Sequence, residues 1–389
     1  MRYLQQQYSE RDGNRRRVIT AMFGIFGHGN VAGMGQALEE VGTDLPFYQP
    51  CNEQSMVHTA VGFAKANLRL STMACSASIG PGSTNLVTGA ALATINRLPV
   101  LLLPSDYYAT RHQGPVLQQL EHSISADISV NDCLRPVSRF FDRITRPEHL
   151  LTALPQAMRV LTDPVETGAV TISLPQDVQA HAYDFPTRFF EPAVWRVERR
   201  APDRERIREA ADLLRSAKRP LIIAGGGVHY AEAWDDLQQL VEEFGMPVGE
   251  TFAGRGGIRQ PSAWLLGGLG VTGTPSAARI AAEADVVLCV GTRLTDFTTG
   301  SHSAFQHPDV RFVTINVTPH DAAKLSALPI VADAREALRA LRVAVVGLRT
   351  DPAWSATVKA AKAEWEQYVT DHVDQQVPGE AISQGRVVR

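Results

Sequence analysis

Along most of the chain, short apolar runs alternate with segments of helical period. Residues 21–26, 71–77, 99–103 and 169–174 are apolar runs of strand length, and 31–41, 53–65 and 147–161 read as helices. After a break the same style resumes: helix 204–216, strand 221–224, helix 231–244, strand 247–251, helix 275–283, strands 285–290 and 311–317, and helix 334–346. Strands without a polar face need cover on both sides, and alternation with helices supplies it, which implies mostly parallel sheets. At 389 residues the chain exceeds one ordinary domain. The expected fold class is therefore α/β, with two doubly wound, mostly parallel-sheet domains at 1–180 and 204–350. Residues 181–203 are rich in Pro, Phe and Arg, lack helical period and read as a linker. Residues 351–389 are expected to hold a helix over 354–368 and an unstructured tail from 377. Residues 1–7 read as the end of a helix.

Charge and cysteine usage narrow the function classes. Thirty-eight basic against 41 acidic residues leave a net charge of −3, so no surface for nucleic acid is expected. The run Arg15-Arg16-Arg17 is short and reads as a solvated face. Cys51, Cys75, Cys133 and Cys289 lie far apart, without metal-like spacing or a disulfide framework, which fits a reducing cytoplasm. No stretch has the length of a transmembrane helix and no signal peptide is visible, so no membrane partner is expected.

The most informative stretch is Pro50-Cys51-Asn52-Glu53. The apolar run 45–49 before it reads as a buried strand. Pro50 stops that run, Asn52 suits a helix N-cap, and Ala60, Gly62 and Ala64 would let the helix pack closely. Glu53 then stands where a strand gives way to a helix, the rim of an α/β sheet where ligands bind. A plain alternative is that its negative charge complements the helix dipole. Gly27-His28-Gly29-Asn30 places two glycines around polar residues, a turn that lets backbone approach a ligand or simply joins strand to helix. Residues 78–85, with Gly80, Gly82 and Asn85, open another helix whose N-terminus could take an anion. Residues 107–122 form a polar loop with Arg111, His112, Gln113, Gln118, Gln119, Glu121 and His122, a candidate substrate wall or a solvated loop. Gly225-Gly226-Gly227 is half a dinucleotide fingerprint, with Tyr230 where the third glycine belongs, so nicotinamide binding is disfavoured.

The wording FGIFGHGNV, YQPCNEQSMVHTAVGFAK, SIGPGSTNLVTG and LLLPSDYYATRHQGPVLQQLEH resembles the thiamine-diphosphate-dependent enzymes of the acetolactate synthase type. Within them it is nearest the branch that hydrolyses a carbon–carbon bond in inositol catabolism. The resemblance covers nearly the whole chain. It makes 1–180 a pyrimidine-binding domain and 204–350 a Rossmann-like central domain. It implies thiamine diphosphate and Mg²⁺ as cofactors. The reaction it implies opens a trihydroxycyclohexane-1,2-dione to 5-deoxy-glucuronic acid. Glu53 would share a proton with the cofactor's aminopyrimidine ring and so activate the thiazolium carbon. Gly27, Gly29, Asn30, Pro50, Gly80, Gly82 and Asn85 would line the cofactor. His28, His112 and Gln119 are candidates for the substrate oxygens, histidine being able to exchange protons near neutral pH. The same three have plain readings as loop or turn residues.

Members of this family carry a third domain, whose Gly-Asp-Gly stretch and later Asn hold Mg²⁺ and the diphosphate. No Gly-Asp-Gly occurs here, and Asp12-Gly13-Asn14 lies near the other terminus. No metal ligand is therefore assigned, and 351–389 is expected to lead towards that domain. The chain is expected to act as a homodimer or tetramer, or with a partner chain carrying the diphosphate-binding domain. Two other readings stay open: a catalytically inactive remnant serving as a regulatory or structural subunit, and a carboligase of 2-oxo acids.

Overall fold

The computed structural model describes residues 1–112, 117, 122–375, 379 and 381–388. They form two compact units, Met1–Glu198 and Arg199–Arg389. Among the described residues the first carries ten strands: β1 (Gln7–Arg11), β2 (Asn14–Arg17), β3 (Ile19–Ile25), β4 (Phe47–Tyr48), β5 (Thr72–Ala77), β6 (Val100–Leu102), β7 (Ser105–Asp106), β8 (Phe140–Arg143), β9 (Ala169–Pro175) and β10 (Ala193–Arg196). The second carries β11 (Pro220–Ala224), β12 (Val248–Glu250), β13 (Leu265–Gly268), β14 (Val286–Val290), β15 (Arg311–Asn316) and β16 (Leu328–Val331).

In the first unit the main sheet runs β4-β3-β5-β6-β9-β7, with β8 also beside β9. Every pairing in it is parallel. The strand order reverses at β3, which pairs with β4 on one side and β5 on the other. Ile19, Met22, Leu101, Val170, Ile172 and Met158 form part of the core below this sheet and are fully or almost fully buried. The run 45–49 is not a buried strand: only Phe47–Tyr48 pairs, at the sheet edge, and these side chains are 40% and 54% exposed. Leu45 alone of that run is buried.

The helix Glu53–Ala66 begins at Asn52, whose Oδ1 accepts a hydrogen bond from the Ser55 amide at 3.0 Å, as the N-cap reading expects. Ala60 and Ala64 are buried against its neighbours, but Gly62 is exposed and a Cβ there would meet nothing within 4 Å. The close approach is made from the other side. Gly89, in the helix Val87–Asn96, lies so near Val57 that a Cβ would sit 2.5 Å from the Val57 Cβ. The segment 31–41 is a π-helical turn, Val31–Gly35, followed by the α-helix Gln36–Val41.

Two segments hold more structure than expected. Residues 1–7 give only the short helix Arg2–Gln5, after which β1 and β2 form a hairpin with register Arg11↔Asn14. Its two turn residues, Asp12 and Gly13, both have positive φ, at 53° and 80°. Residues 181–203 are not simply a linker. β10 pairs in parallel with β1, and Phe189 stacks on Tyr3 with ring centroids 4.6 Å apart. The aromatic residues of this stretch thus pack onto the first unit. In the tail, Gln384–Val388 is helical.

The second unit is one parallel sheet in the order β13-β12-β11-β14-β15-β16. Helices Arg204–Ser216, Trp234–Phe244, Pro275–Glu283, Ala334–Ala344 and Pro352–His372 belong to it. Strands β13 and β16 were not anticipated. The order is the doubly wound one, with its reversal between β11 and β14. Gly225 and Gly227 serve backbone packing at that point: a Cβ on Gly225 would lie 2.5 Å from the Gly291 carbonyl oxygen, and one on Gly227 2.6 Å from the Gly291 Cα. Among the described residues no helix is long and apolar enough to cross a membrane.

The two helix glycines should respond oppositely to alanine. Gly89→Ala overpacks against Val57 and should cost about 1–3 kcal/mol, more than the ~1 kcal/mol alanine gains in a helix interior. Gly62→Ala should stabilise by about 0.5–1 kcal/mol. Chemical-denaturation midpoints check the signs; shifts in the same direction would contradict this packing.

Candidate active site

Three chain segments converge at the carboxyl ends of β3 and β5, where the sheet order reverses. Parallel pairing is what brings them there: it puts the ends of β3, β4 and β5 on one edge, and helices start from that edge. β3 ends at Ile25 and leads into Gly27, in a left-handed conformation with φ of 52°. β5 ends at Ala77 and leads through Ser78 to Gly80, with φ of 71°, and the short helix Pro81–Thr84. Glu53 begins the helix that follows β4.

Between them lies a cavity of about 380 Å³ lined by Ile25, Gly27, Glu53, Ser78, Pro81, Gly82 and Asn85. Among the described residues Glu53 is its one acidic lining residue, and it is half-buried rather than sealed from water. Its Oε2 accepts a hydrogen bond from Asn85 Nδ2 at 2.7 Å. Its Oε1 faces Gly82, where a Cβ would come within 3.4 Å of it. Gly27 closes tightly on the other wall, since a Cβ there would lie 2.3 Å from Ser78 Oγ. One carboxylate oxygen is thus held by a neutral donor, and the other is directed to a space kept clear of side chains. Such an arrangement can share a proton with a flat polar ring.

Of the anticipated residues, Glu53, Gly27, Gly82 and Asn85 come together at this cavity. Gly29, Asn30, Pro50, Gly80 and His28 are not among its lining residues. Gly29 lies against β7, where a Cβ would meet Ser105 Oγ at 2.1 Å. Asn30 is fully buried: its Nδ2 donates to Ser76 Oγ at 2.8 Å and the Ala77 carbonyl at 3.0 Å, and its Oδ1 accepts from Gln179 Nε2 at 2.8 Å. It knits the turn to the sheet. Gly80 provides the left-handed turn before Pro81, and Pro50 is half-buried outside the cavity. The His28 Nε2 is buried and makes no hydrogen bond among the described residues. His112 is exposed on its loop, whereas Gln113, Gln118, Gln119 and Glu121 lie outside the described residues. Ile25 was missed as a lining residue, and Ser78 and Pro81 were not singled out within the 78–85 segment that the resemblance made part of the wall. Their signal was positional: each is within a few residues of a strand's carboxyl end.

The stem of the polar loop is tied down beside this site. Asp177 accepts hydrogen bonds from the amides of Ala109 at 2.9 Å and Thr110 at 3.1 Å. Burial alone would raise its pKa, but the backbone donors from Ala109, Thr110 and Val178 outweigh burial and lower it. A depressed carboxyl pKa contributes stability that is fully present above the unfolded value, about 3.9, and is lost as pH falls through the folded value. Hydrogen exchange at Ala109 and Thr110 should therefore be protected at pH 5–7 and lose protection below about pH 4. In Asp177→Ala that protection should be weak at every pH, and retention of the acid step in this variant would refute the assignment.

The chain matches two family descriptions. Residues 15–126 match the thiamine pyrophosphate enzyme N-terminal TPP binding domain, and 207–341 match the thiamine pyrophosphate enzyme central domain. It is similar to a 3D-(3,5/4)-trihydroxycyclohexane-1,2-dione hydrolase 2 of Bacillus cereus, at 50% identity over 366 residues. Proteins called 3D-(3,5/4)-trihydroxycyclohexane-1,2-dione hydrolase from a second strain of Bacillus cereus and from Bacillus thuringiensis (strain Al Hakam) match at the same 50% identity. Each alignment covers 94% of this chain and 57% of the relative. The chain thus spans somewhat over half the length of the curated relatives it matches.

Proposed function

Because this chain belongs to the thiamine pyrophosphate enzyme family, we propose that it supplies the aminopyrimidine-facing part of a hydrolase that cleaves a carbon–carbon bond of a cyclic dione. The observation that carries this reading is the Glu53–Asn85 pair in a glycine-walled cavity at the sheet's reversal point. The residues fit the cofactor's pyrimidine. About 380 Å³ admits a small ring, Oε1 of Glu53 has a face clear of side chains, and Gly27 and Gly82 bring backbone up to the space.

When bound, thiamine diphosphate supplies the nucleophilic carbon and the electron sink for cleavage. The protein's part is orientation and proton handling. Glu53 holds a proton between Oε1 and a ring nitrogen. Asn85 fixes the rotation of the carboxylate by its bond to Oε2. Gly27 and Gly82 would leave backbone rather than side chain against the ring. The substrate proposed is a trihydroxycyclohexane-1,2-dione, after the relatives' names, and the product proposed is the 5-deoxy-glucuronic acid that the family resemblance implies. His28, His112 and Gln119 remain proposed partners of the substrate oxygens. Mg²⁺ would accompany the diphosphate, outside this cavity, through oxygen ligands. Since Glu53 is only half-buried, a further surface would complete its wall. In this reading that surface comes from a second copy, in a homodimer or tetramer, or from a chain carrying the diphosphate-binding domain. The four free cysteines suit a cytoplasmic setting.

The test is turnover of the cyclic dione with thiamine diphosphate and Mg²⁺, with this chain joined to or complemented by the diphosphate-binding domain. Glu53→Gln should lower kcat by roughly 10²–10⁴-fold. Asn85→Ala should lower it by a smaller factor, leaving the carboxylate in place but free to rotate. Full activity of Glu53→Gln would overturn the proposal. Turnover of pyruvate to a carboligation product in place of ring opening would redirect it to another reaction of the same family.

A further inference from the structure

The turn that follows β9 makes three separate attachments. Gln176 Nε2 donates to the His28 carbonyl at 3.2 Å. Gln179 Nε2 is shared among Asn30 Oδ1 at 2.8 Å, the Leu174 carbonyl at 3.1 Å and the Gly29 carbonyl at 3.2 Å. Both glutamines thus hold the turn whose first residue, Gly27, lines the Glu53 cavity. Between them, Asp177 points to a different segment. Its Oδ1 accepts from the Ala109 amide and its Oδ2 from the Thr110 amide, with the Val178 amide also on Oδ1 at 3.0 Å. Gln176 adds a backbone bond to the Asp106 carbonyl at 3.1 Å, just before the same stem.

We propose that the turn 176–179 is a positioning clamp that ties the Gly27–Asn30 turn and the Ala109–Thr110 stem into one rim of the ligand site. Neither glutamine nor Asp177 lines the cavity, so they act through the segments they hold. The chemistry of the clamp suits the task. Carboxamide N–H groups reach backbone carbonyls, and a carboxylate reaches backbone amides, so main chain is gripped whatever side chains it carries. A charged acceptor on two amides is the strongest of these bonds. The two held segments also touch each other near their roots, since Gly29 packs against Ser105, four residues before Ala109. This inference rests on the reading of the cavity as the pyrimidine site.

The experiment is amide hydrogen exchange on the full chain, with thiamine diphosphate titration of that chain complemented by the diphosphate-binding domain, comparing wild type with Asp177→Ala and Asp177→Asn. Asp177→Ala removes both acceptors of the stem and the cap on the Val178 amide, but leaves the bonds of Gln176 and Gln179 to the Gly27–Asn30 turn in place. It should speed exchange at Ala109 and Thr110 roughly tenfold or more. Through the clamp it should also speed exchange at Gly29 and Asn30 and weaken thiamine diphosphate binding several-fold. Asp177→Asn keeps Oδ1 and loses only the acceptor for Thr110. It should free Thr110, leave Ala109 protected and retain most of the binding, and it serves as the decisive variant if Asp177→Ala does not fold. Faster exchange confined to the stem, with Gly29, Asn30 and ligand affinity as in wild type, would overturn the clamp. If the wild-type chain complemented by the diphosphate-binding domain does not bind thiamine diphosphate, the cofactor reading fails, and exchange at Gly29 and Asn30 alone decides whether the two segments are coupled.

Discussion

The first unit depends on β3 pairing in parallel on both sides at once. Its pairing with β4 brings in Phe47 and Tyr48, and its pairing with β5 runs from Ile19↔Thr72 to Ile25↔Ala77. Parallel register forces three successive strands to end on one edge, and each must then turn into a helix. The cavity is the gap left where the helices after β3 and β4 depart to different sides. Its lining follows from that geometry more than from any single side chain. Ile25 is the last residue of β3, Ser78 the first after β5, and Glu53 the first of the helix after β4. Had β4 paired elsewhere, Glu53 would start a helix with no facing wall.

Small residues decide how close these segments come. Gly89 lets its helix rest on Val57 of the Glu53 helix, which fixes that helix over β5. Gly27 and Gly29 let the turn after β3 sit on Ser78 and Ser105. The buried polar groups beneath form a bonded network. Asp106, fully buried, accepts from Ser173 Oγ at 2.7 Å, Arg143 Nε at 2.8 Å and the Tyr107 amide at 2.9 Å. Asn131 joins Ser105 to Ser173. A buried charge with this many partners is a rigid fixture, because loosening it exposes an unpaired charge to a low dielectric. Such a fixture at the root of the stem explains why Asp177 and the glutamines have firm ground on which to hold the rim.

Much of this was legible in the sequence, and the losses have physical reasons. Alternating apolar runs and helical periods announced two parallel-sheet units, because strands buried on both faces leave no ambiguity of side. Asn52 and Glu53 were legible because a cap residue before an apolar helix is a local signal. Gly62 was misassigned and Gly89 overlooked because sequence shows which residues are small, not which helix face meets a neighbour. The hairpin of β1 and β2 was missed although Asp12-Gly13 is a two-residue turn signal; the strands around it are polar, so the usual alternation was absent. β10 was hidden in a Pro- and Phe-rich stretch because its partner, β1, lies far back in the chain. Asn30 looked like a ligand contact because its type and position fit one, and only burial shows that its amide is used up inside the turn.

The division of labour on the Glu53 carboxylate follows from these constraints. A free carboxylate rotates about its last bond, and its two oxygens exchange roles. The Asn85 donor removes that freedom at one oxygen. The other lies beside Gly82, where a Cβ would come within 3.4 Å of it. The Asn52 cap makes Glu53 the first helical residue, so it cannot slide along the helix, and Gly80 sets the turn from which both Gly82 and Asn85 hang. Directionality at one oxygen is thus assembled from a cap, a left-handed glycine and an amide on two different segments. A lone acid at a helix N-terminus has only the dipole to answer to. Glu53 is held by an amide from the facing segment as well, with its second oxygen beside a glycine, so the dipole is not its only partner.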